Sequence, residues 1–397
     1  MPQLRDNCRK RGAMNWWILF IAGWIPAVCW MAAGILTIRF FHEKTLAKCA
    51  RAHSDPVKWP KVSVIIAARD EARSIETTLR SIANQDYPNF EVISVDDRSV
   101  DGTDAIIERV AAEESRIKAM HIRQLPEGWL GKCHALHQGA LQASGELLLF
   151  ADGDVCFASE TLRLAVRYLL ANRFDHLVLC PGLISKSYWE AAIKSFFIMI
   201  LIMSARAWAA PKRSKNVYIG AGAFNLVRRT AYEDIGGHGA LRREVIDDIM
   251  LGRLIKLKGY RQDILVAQEY LELSWLEGVR GFVMGLEKNA FAALDFSILR
   301  LLLATGLIFF FYVVPYIGVL AFQDDRIFGY GITVAVMHAT FGFCAKMSGK
   351  GWRLLPALPA ALTIFLWTLW RSALVTLRRG GVLWRDTFYP IRSLKKK

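Results

Sequence analysis

Three short apolar runs in the first half of the chain each stop on acids, and this repetition constrains the fold more than any other feature. Val62–Ala68 is followed by Asp70 and Glu71, Phe90–Val95 by Asp96 and Asp97, and the run LLLFA by Asp152 and Asp154. Between them lie segments of helical period: Ile75, Leu79 and Ile82 mark one apolar face, Thr103–Glu114 a second helix and Lys132–Ala143 a third, with a further strand at Ile117–Ile122. Strands alternating with amphipathic helices predict an α/β domain with a mostly parallel sheet covered on both faces. Ligands of such sheets bind outside the carboxyl ends of the strands, where all six acids fall. Residues two apart in an extended chain share a side, so Asp152 and Asp154 can face one hard cation, and Gly153 leaves room for a ligand. Mg2+ or Mn2+ held by one or two carboxylates takes its other ligands from water and phosphate oxygens, which points to a nucleotide diphosphate. A solvated turn is the plainer use of a lone Asp-Gly-Asp; the acids that end the neighbouring strands are what favour the site.

The rest of the chain is too apolar for an ordinary soluble enzyme, with 53% hydrophobic residues and a mean hydropathy of +0.24. Asn15–Ile38 is uncharged and of membrane length, as are Leu299–Phe322, Ile327–Ala345 and Leu354–Leu377. The net charge of +15 gathers beside these spans, at Arg5–Arg11, Lys44–Lys61, Lys346–Arg353 and Arg378–Lys397. That placement suits anionic headgroups rather than nucleic acid, which is not expected as a partner. Seven cysteines without paired spacing suggest a reduced, cytoplasmic compartment. The expected organisation is an anchor and basic linker over 1–60, a cytoplasmic catalytic domain over 61–297, a transmembrane region over 298–377 and a basic tail over 378–397. Three crossings after the domain would put that tail outside, against the positive-inside tendency. A re-entrant last span, with Pro356 and Pro359, would keep it cytoplasmic. Tyr188–Pro211 carries Glu190, Lys194 and Arg206, which suits an interfacial helix better than a crossing.

Two stretches, VSVIIAARDEARSIETTLRSIANQDYPNFEVISVDDRSVDGT and GWLGKCHALHQGALQASGELLLFADGDV, resemble the nucleotide-sugar half of the family 2 inverting glycosyltransferases with the GT-A fold. The likeness runs over about Lys61–Ala293, and the flanking spans are similar to those of lipid-modifying members acting on ceramide, carotenoids or hopanoids. It implies an integral membrane enzyme that moves one sugar from a nucleotide donor, UDP-linked by expectation, to a membrane lipid. It also implies that Glu71 and Asp96 or Asp97 recognise the nucleoside, that Asp154 with Asp152 holds the metal, and that Lys132 and the loop containing Gly222 border the donor. Carboxylates accept hydrogen bonds from ribose hydroxyls and base N–H groups, and a metal offsets their repulsion of phosphate. A solvated helix-start lysine is the rival reading of Lys132, and capping of the helix at Thr103 the preferred one of Asp101. Cys133, His134 and His137 share a helix but lack further ligands for zinc.

In Glu244-Val245-Ile246-Asp247-Asp248, Asp248 matches the second acid of the family's catalytic pair, with Asp247 beside it. An inverting displacement needs one carboxylate to take the acceptor proton; a helix-capping pair is the structural alternative. Downstream the Gln-x-x-Arg-Trp motif of processive synthases is missing, and VRGFVMGLEKNAF stands in its place. Arg280, Lys288 and Asn289 there could face the diphosphate or, for the two cations, the headgroups. Trp384, Arg385 and Tyr389 resemble a tail segment of the lipid-modifying relatives that borders the active site. A polysaccharide-extending synthase and a non-catalytic scaffold with the same fold remain the alternatives.

Overall fold

The computed structural model describes the backbone of residues 2–346, 349–384 and 387–394. The side chains of residues 2–15, which include the first basic run and Cys8, lie outside the described residues, as do the Trp384 side chain and all of Arg385. A long helix, α1 (Pro2–Glu43), leads through α2 (Leu46–Arg51) into the domain. There β1 (Val62–Ala68), α3 (Ile75–Ala83), β2 (Phe90–Asp97), α4 (Thr103–Glu113), β3 (Ile117–Ile122), α5 (Gly131–Gln142) and β4 (Leu147–Asp152) alternate as the sequence pattern requires. β5 (Val155–Phe157), α6 (Thr161–Ala171), β6 (His176–Cys180), β7 (Gly182–Leu183) and α7 (Tyr188–Ala205) follow. Then come β8 (Asn225–Arg228), α8 (Arg229–Asp234), α9 (Asp247–Leu257), β9 (Gln262–Val266), β10 (Leu271–Leu273) and α10 (Gly278–Leu286).

Seven strands form one sheet in the order β3-β2-β1-β4-β8-β6-β9, parallel except for β8. β1, β2 and β4 are buried along almost their whole length because helices cover both faces, which is why they read as continuous apolar runs. Ala67 pairs with Asp152 and Ala68 with Asp96, so the ends of the three strands are level and their acids converge.

The segment after α1 docks on the domain. Leu46 and Ala50 are buried, the Val266 N–H donates to the Lys44 carbonyl at 2.7 Å, and Lys44 Nζ reaches the fully buried Asp263 at 2.6 Å. Trp59 packs edge-on against Tyr87, with Arg163 over its ring.

Beyond the domain, α11 (Ile298–Ile308), a π-helical turn (Phe309–Val313) and α12 (Val314–Ala321) form one rod that turns back into α13 (Arg326–Ala345). A 3-10 turn (Gly351–Ala357) then leads into α14 (Leu358–Arg379) and a hairpin of β11 (Gly381–Trp384) and β12 (Thr387–Pro390). α1 and α13 run parallel at close range: Gly23 lies against Tyr330, Gly34 against Val336 and Thr340, and Phe41 against Phe343. The Trp30 indole donates to the Phe311 carbonyl at 3.0 Å, which ties the α11–α12 rod to α1. Among the described residues five helical stretches are long and apolar enough to cross a membrane: 16–43, 188–209, 298–321, 326–345 and 351–379.

Candidate active site

The turns after β1 and β2 are laced together by side chains that sequence reasoning had set aside. Asp101 accepts from the Ala72 N–H (3.0 Å) and from the Thr103 N–H and hydroxyl, while the Thr103 hydroxyl accepts from the Glu71 N–H (2.8 Å). Asp70, at φ 54°, accepts from the Val100 N–H, and its own N–H donates to Ser99 Oγ. These bonds fix Glu71 at the lip of the sheet, and Asp101 holds the helix start at Thr103 although Gly102 is the N-cap residue.

Neighbouring residues of a strand point to opposite faces, and this separates Asp96 from Asp97. Asp97 lines a cavity at the sheet's carboxyl edge, held by Arg98 through both oxygens at 2.7 and 3.1 Å. Asp96 is 1% exposed, accepts from the Ser99 N–H, sits 3.7 Å from His121 Nδ1 and lies outside the cavity lining. Of the two acids offered for the nucleoside, Asp97 is the one the fold brings to the site.

Lys132, in the first turn of α5, lies between the strand acids and the acids of α9. Its Nζ is 2.7 Å from Asp152 Oδ1 and 3.7 Å from Asp247 Oδ1. Burial works against its charge, but Asp152, Asp247 and Asp248 outweigh that and hold it well above the ordinary lysine range. It is thus not the solvated lysine of the rival reading. Asp247 is 3% exposed; burial pushes its carboxyl up to about 7, with Lys132 opposing and Asp248 and Asp152 adding. Asp154 is also lifted to about 7, by burial first and then by the charges of Asp152 and Glu71.

The donor set fits a divalent cation. Burial first, and then the charges of Asp152 and Glu71, work against the ionised Asp154 carboxylate, and a bound cation would relieve that. Among the described residues no group of three or more His, Cys, Asp or Glu forms a cage of its own. Asp154 and Asp152 would therefore supply only part of the coordination, leaving water and phosphate oxygens to complete it. Cys133 is buried, and His134 and His137 pack on Trp129.

Two glycines let the loop before β8 close on both sets of acids. A Cβ at Gly222 would run into the Asp152 carboxylate, and one at Gly220 into the backbone carbonyl of Asp248. Gly222 returns its own carbonyl to the Asp152 N–H at 2.9 Å. Asp248, in the first turn of α9, is half-buried on the cavity wall and accepts the Ile249 N–H at 2.8 Å.

One cavity of about 1520 Å³ spans this edge of the sheet and extends into the apolar helices. Glu71, Asp97, Lys132, Asp152, Asp154, Asp247, Asp248 and Gly222 line one part, joined by Lys288 and Asn289 after α10. Trp30 of α1, Ile202 of α7, and Leu307, Phe311 and Tyr312 of the α11–α12 rod line the other. Arg280 is exposed and outside the lining. Tyr389 borders the cavity, its hydroxyl accepting the Gly131 N–H at 3.4 Å. Arg69 and Arg253 also line it and were missed, because an isolated arginine in sequence carries no sign of the wall it will join.

Residues 63–236 match the model of "Glycosyl transferase family 2". The chain is 25% identical over 244 residues to a beta-monoglucosyldiacylglycerol synthase of Trichormus variabilis, covering 60% of this chain and 48% of the relative. It is 25% identical over 200 residues to a 4,4'-diaponeurosporenoate glycosyltransferase of Staphylococcus haemolyticus, covering 48% and 50%. The chain thus spans about half the length of these curated relatives. Among solved structures, a mannosyltransferase of Pyrobaculum calidifontis, PcManGT, in complex with GDP-Man and Mn2+, superposes with a TM-score of 0.51 at 19% identity, covering 90% of this chain and 98% of that one, and so shares its fold. Over residues 63–236 the chain therefore carries a glycosyltransferase family 2 domain of the GT-A fold, the family its motifs resemble.

Proposed function

We propose that the protein transfers one sugar, with inversion, from a UDP-sugar to a hydroxyl of a membrane lipid. The observation that carries this reading is the single cavity with two kinds of wall: clustered acids at the sheet edge and apolar side chains on α1, α7 and α11. A water-soluble donor and a lipid acceptor meet only where such walls are continuous, and holding both in one place supplies much of the rate. Relatives named for lipid acceptors, a monoglucosyldiacylglycerol synthase and a carotenoid-type glycosyltransferase, support the acceptor class.

In this reading Glu71 and Asp97 bind the nucleoside, and Arg98 must release Asp97 to let it do so. Asp154 and Asp152 would hold Mg2+ or Mn2+, which when bound neutralises diphosphate charge. Lys288 and Asn289 face the donor from the far wall. The acceptor hydroxyl oxygen bonds to the anomeric carbon as the bond to the diphosphate breaks, its electron pair leaving on the diphosphate. Asp248 takes the hydroxyl proton. Lys132 keeps the neighbouring Asp152 and Asp247 in register through its two contacts.

The test is incubation of the purified protein with radiolabelled UDP-sugars and extracted membrane lipid, followed by NMR of the product. A chloroform-soluble glycolipid of anomeric configuration opposite to the donor is expected. Label in a polymer would support the synthase alternative instead, and retained configuration would remove Asp248 from its role.

A further inference from the structure

Among the described residues five apolar helical stretches are long enough to cross a membrane, but two of them, α7 and α14, begin and end on the side of the catalytic domain. α7 starts where Tyr188 donates to the Arg353 carbonyl (3.2 Å), just after Ile184 N–H joins Leu273 (3.0 Å). It ends where Lys256 of α9 donates to the Ala210 carbonyl at 2.6 Å. Along its length Phe196 and Phe197 meet Phe365 of α14, and Glu190 and Lys194 form a buried pair at 2.7 Å. α14 starts against the domain-side end of α13, with Leu354 and Ala357 packed among Cys344 and Ala345. It ends where Ser372 accepts the Phe291 N–H (3.0 Å) and Arg379 reaches Glu287 (3.0 Å), and the hairpin after it carries Tyr389 to Gly131. A helix with both ends on one side has not crossed.

By contrast α1 arrives at the domain, α11–α12 leaves it, and α13 returns to it, as the parallel α1–α13 contacts require. On α14, Thr363, Trp367, Leu374 and Leu377 form one exposed stripe at helical spacing, and Trp367 is 54% exposed. Trp189 and Trp352 are each 50% exposed beside the same floor. The exposed cations Lys212, Arg213 and Lys215 follow α7 in the chain, and Arg353 and Arg378 sit at the two ends of the α14 segment. Indole rings with cations at their edge suit the headgroup layer, and the excess positive charge suits an anionic leaflet.

We propose that α7 and α14 lie flat in the headgroup layer of an anionic leaflet as a floor beneath the domain, while α1, α11–α12 and α13 cross. This goes beyond the proposed reaction and rests only on its membrane setting, so it stands or falls apart from donor, acceptor and base. The floor also keeps the tail on the domain side without a re-entrant last span.

The test uses the full chain with Cys8, Cys29, Cys49 and Cys156 replaced by Ser, reconstituted into vesicles with and without phosphatidylglycerol. Bimane is placed through Trp367→Cys, midway along α14, or Ala335→Cys, midway along α13, and quenched by lipids spin-labelled at shallow or deep chain positions. Shallow labels should quench position 367 several-fold more than deep ones, and the order should reverse at 335. Leu374→Cys, on the same stripe, repeats the measurement if Trp367→Cys does not fold. Arg213→Gln/Lys215→Gln/Arg353→Gln should lower the shallow quenching only in vesicles containing phosphatidylglycerol. Deep quenching at 367 equal to that at 335 means that α14 crosses, and no quenching at 367 means that a protein partner covers it; either overturns the proposal. An effect of the triple variant that is the same in neutral vesicles removes the anionic part.

Discussion

Gly220→Ala tests whether the loop before β8 sets the position of the proposed base. The new Cβ would meet the Asp248 backbone carbonyl, which cannot rotate away, and would lie 2.8 Å from Ile249 Cα. Ordinary contact begins near 3.4 Å and the carbonyl lies nearer still, so loop and helix must part by about 1 Å or more. Overpacking of this kind costs about 1–3 kcal/mol of stability. A displacement approaching 1 Å at a reacting group costs on the order of 10²-fold in rate. The variant should therefore lose kcat on that scale while binding UDP with Mn2+ within a few-fold of the parent by calorimetry. Gly222→Ala makes the matching comparison, since its Cβ meets the Asp152 carboxylate, a side chain that can swing aside at the expense of the metal site. There donor affinity should fall roughly tenfold, about 1.4 kcal/mol, with the larger loss in KM. A Gly220→Ala enzyme with parental kcat, or the same kinetic pattern in both variants, would refute the reasoning.

Asp248→Asn should abolish transfer and leave UDP binding nearly intact, whereas Asp154→Ala should weaken metal-dependent UDP binding; calorimetry beside a transfer assay separates them, and equal loss of binding in both would count against the roles. Asp263→Asn disturbs a fully buried carboxylate bonded to Lys44 and Tyr168, each at 2.6 Å, and should lower stability by about 3–5 kcal/mol in urea unfolding of the detergent-solubilised protein. Burial pushes His176 down to about 4 and His238 to about 3, below the ordinary 6.5. The unfolded chain thus binds more protons in this window, so stability is full above pH 6.5 and falls as pH drops toward 3. His238→Gln should flatten that acid limb of the melting temperature, and an unchanged slope would show that other groups carry it.

Much of the site was legible because its acids end strands whose apolar runs are unmistakable. Register then did the rest, since pairing Ala67 with Asp152 and Ala68 with Asp96 brings those ends level. The choice between Asp96 and Asp97 was not legible, because β2 is buried on both faces and so lacks the alternation that would orient it. Lys44 read as one more headgroup lysine, and only the folded chain shows Asp263, more than two hundred residues away, as its partner. The stretch that forms α14 read as a span of membrane length, re-entrant at its prolines. Its packing rests on contacts such as Ser372 with Glu287 and Trp370 with Thr305, which no local pattern encodes. The same is true of Trp30 and Phe311 as walls of the cavity that reaches Asp248.

The central claim is that one cavity joins a nucleotide-sugar site to a lipid acceptor. Its most direct test is the initial rate of free UDP release by purified protein in detergent with Mn2+, measured for UDP-glucose, UDP-galactose, UDP-N-acetylglucosamine and GDP-mannose, each with and without membrane lipid. Release from one UDP-sugar that lipid stimulates and Asp248→Asn removes is expected. Release that ignores lipid, or no release together with no UDP binding, would contradict it.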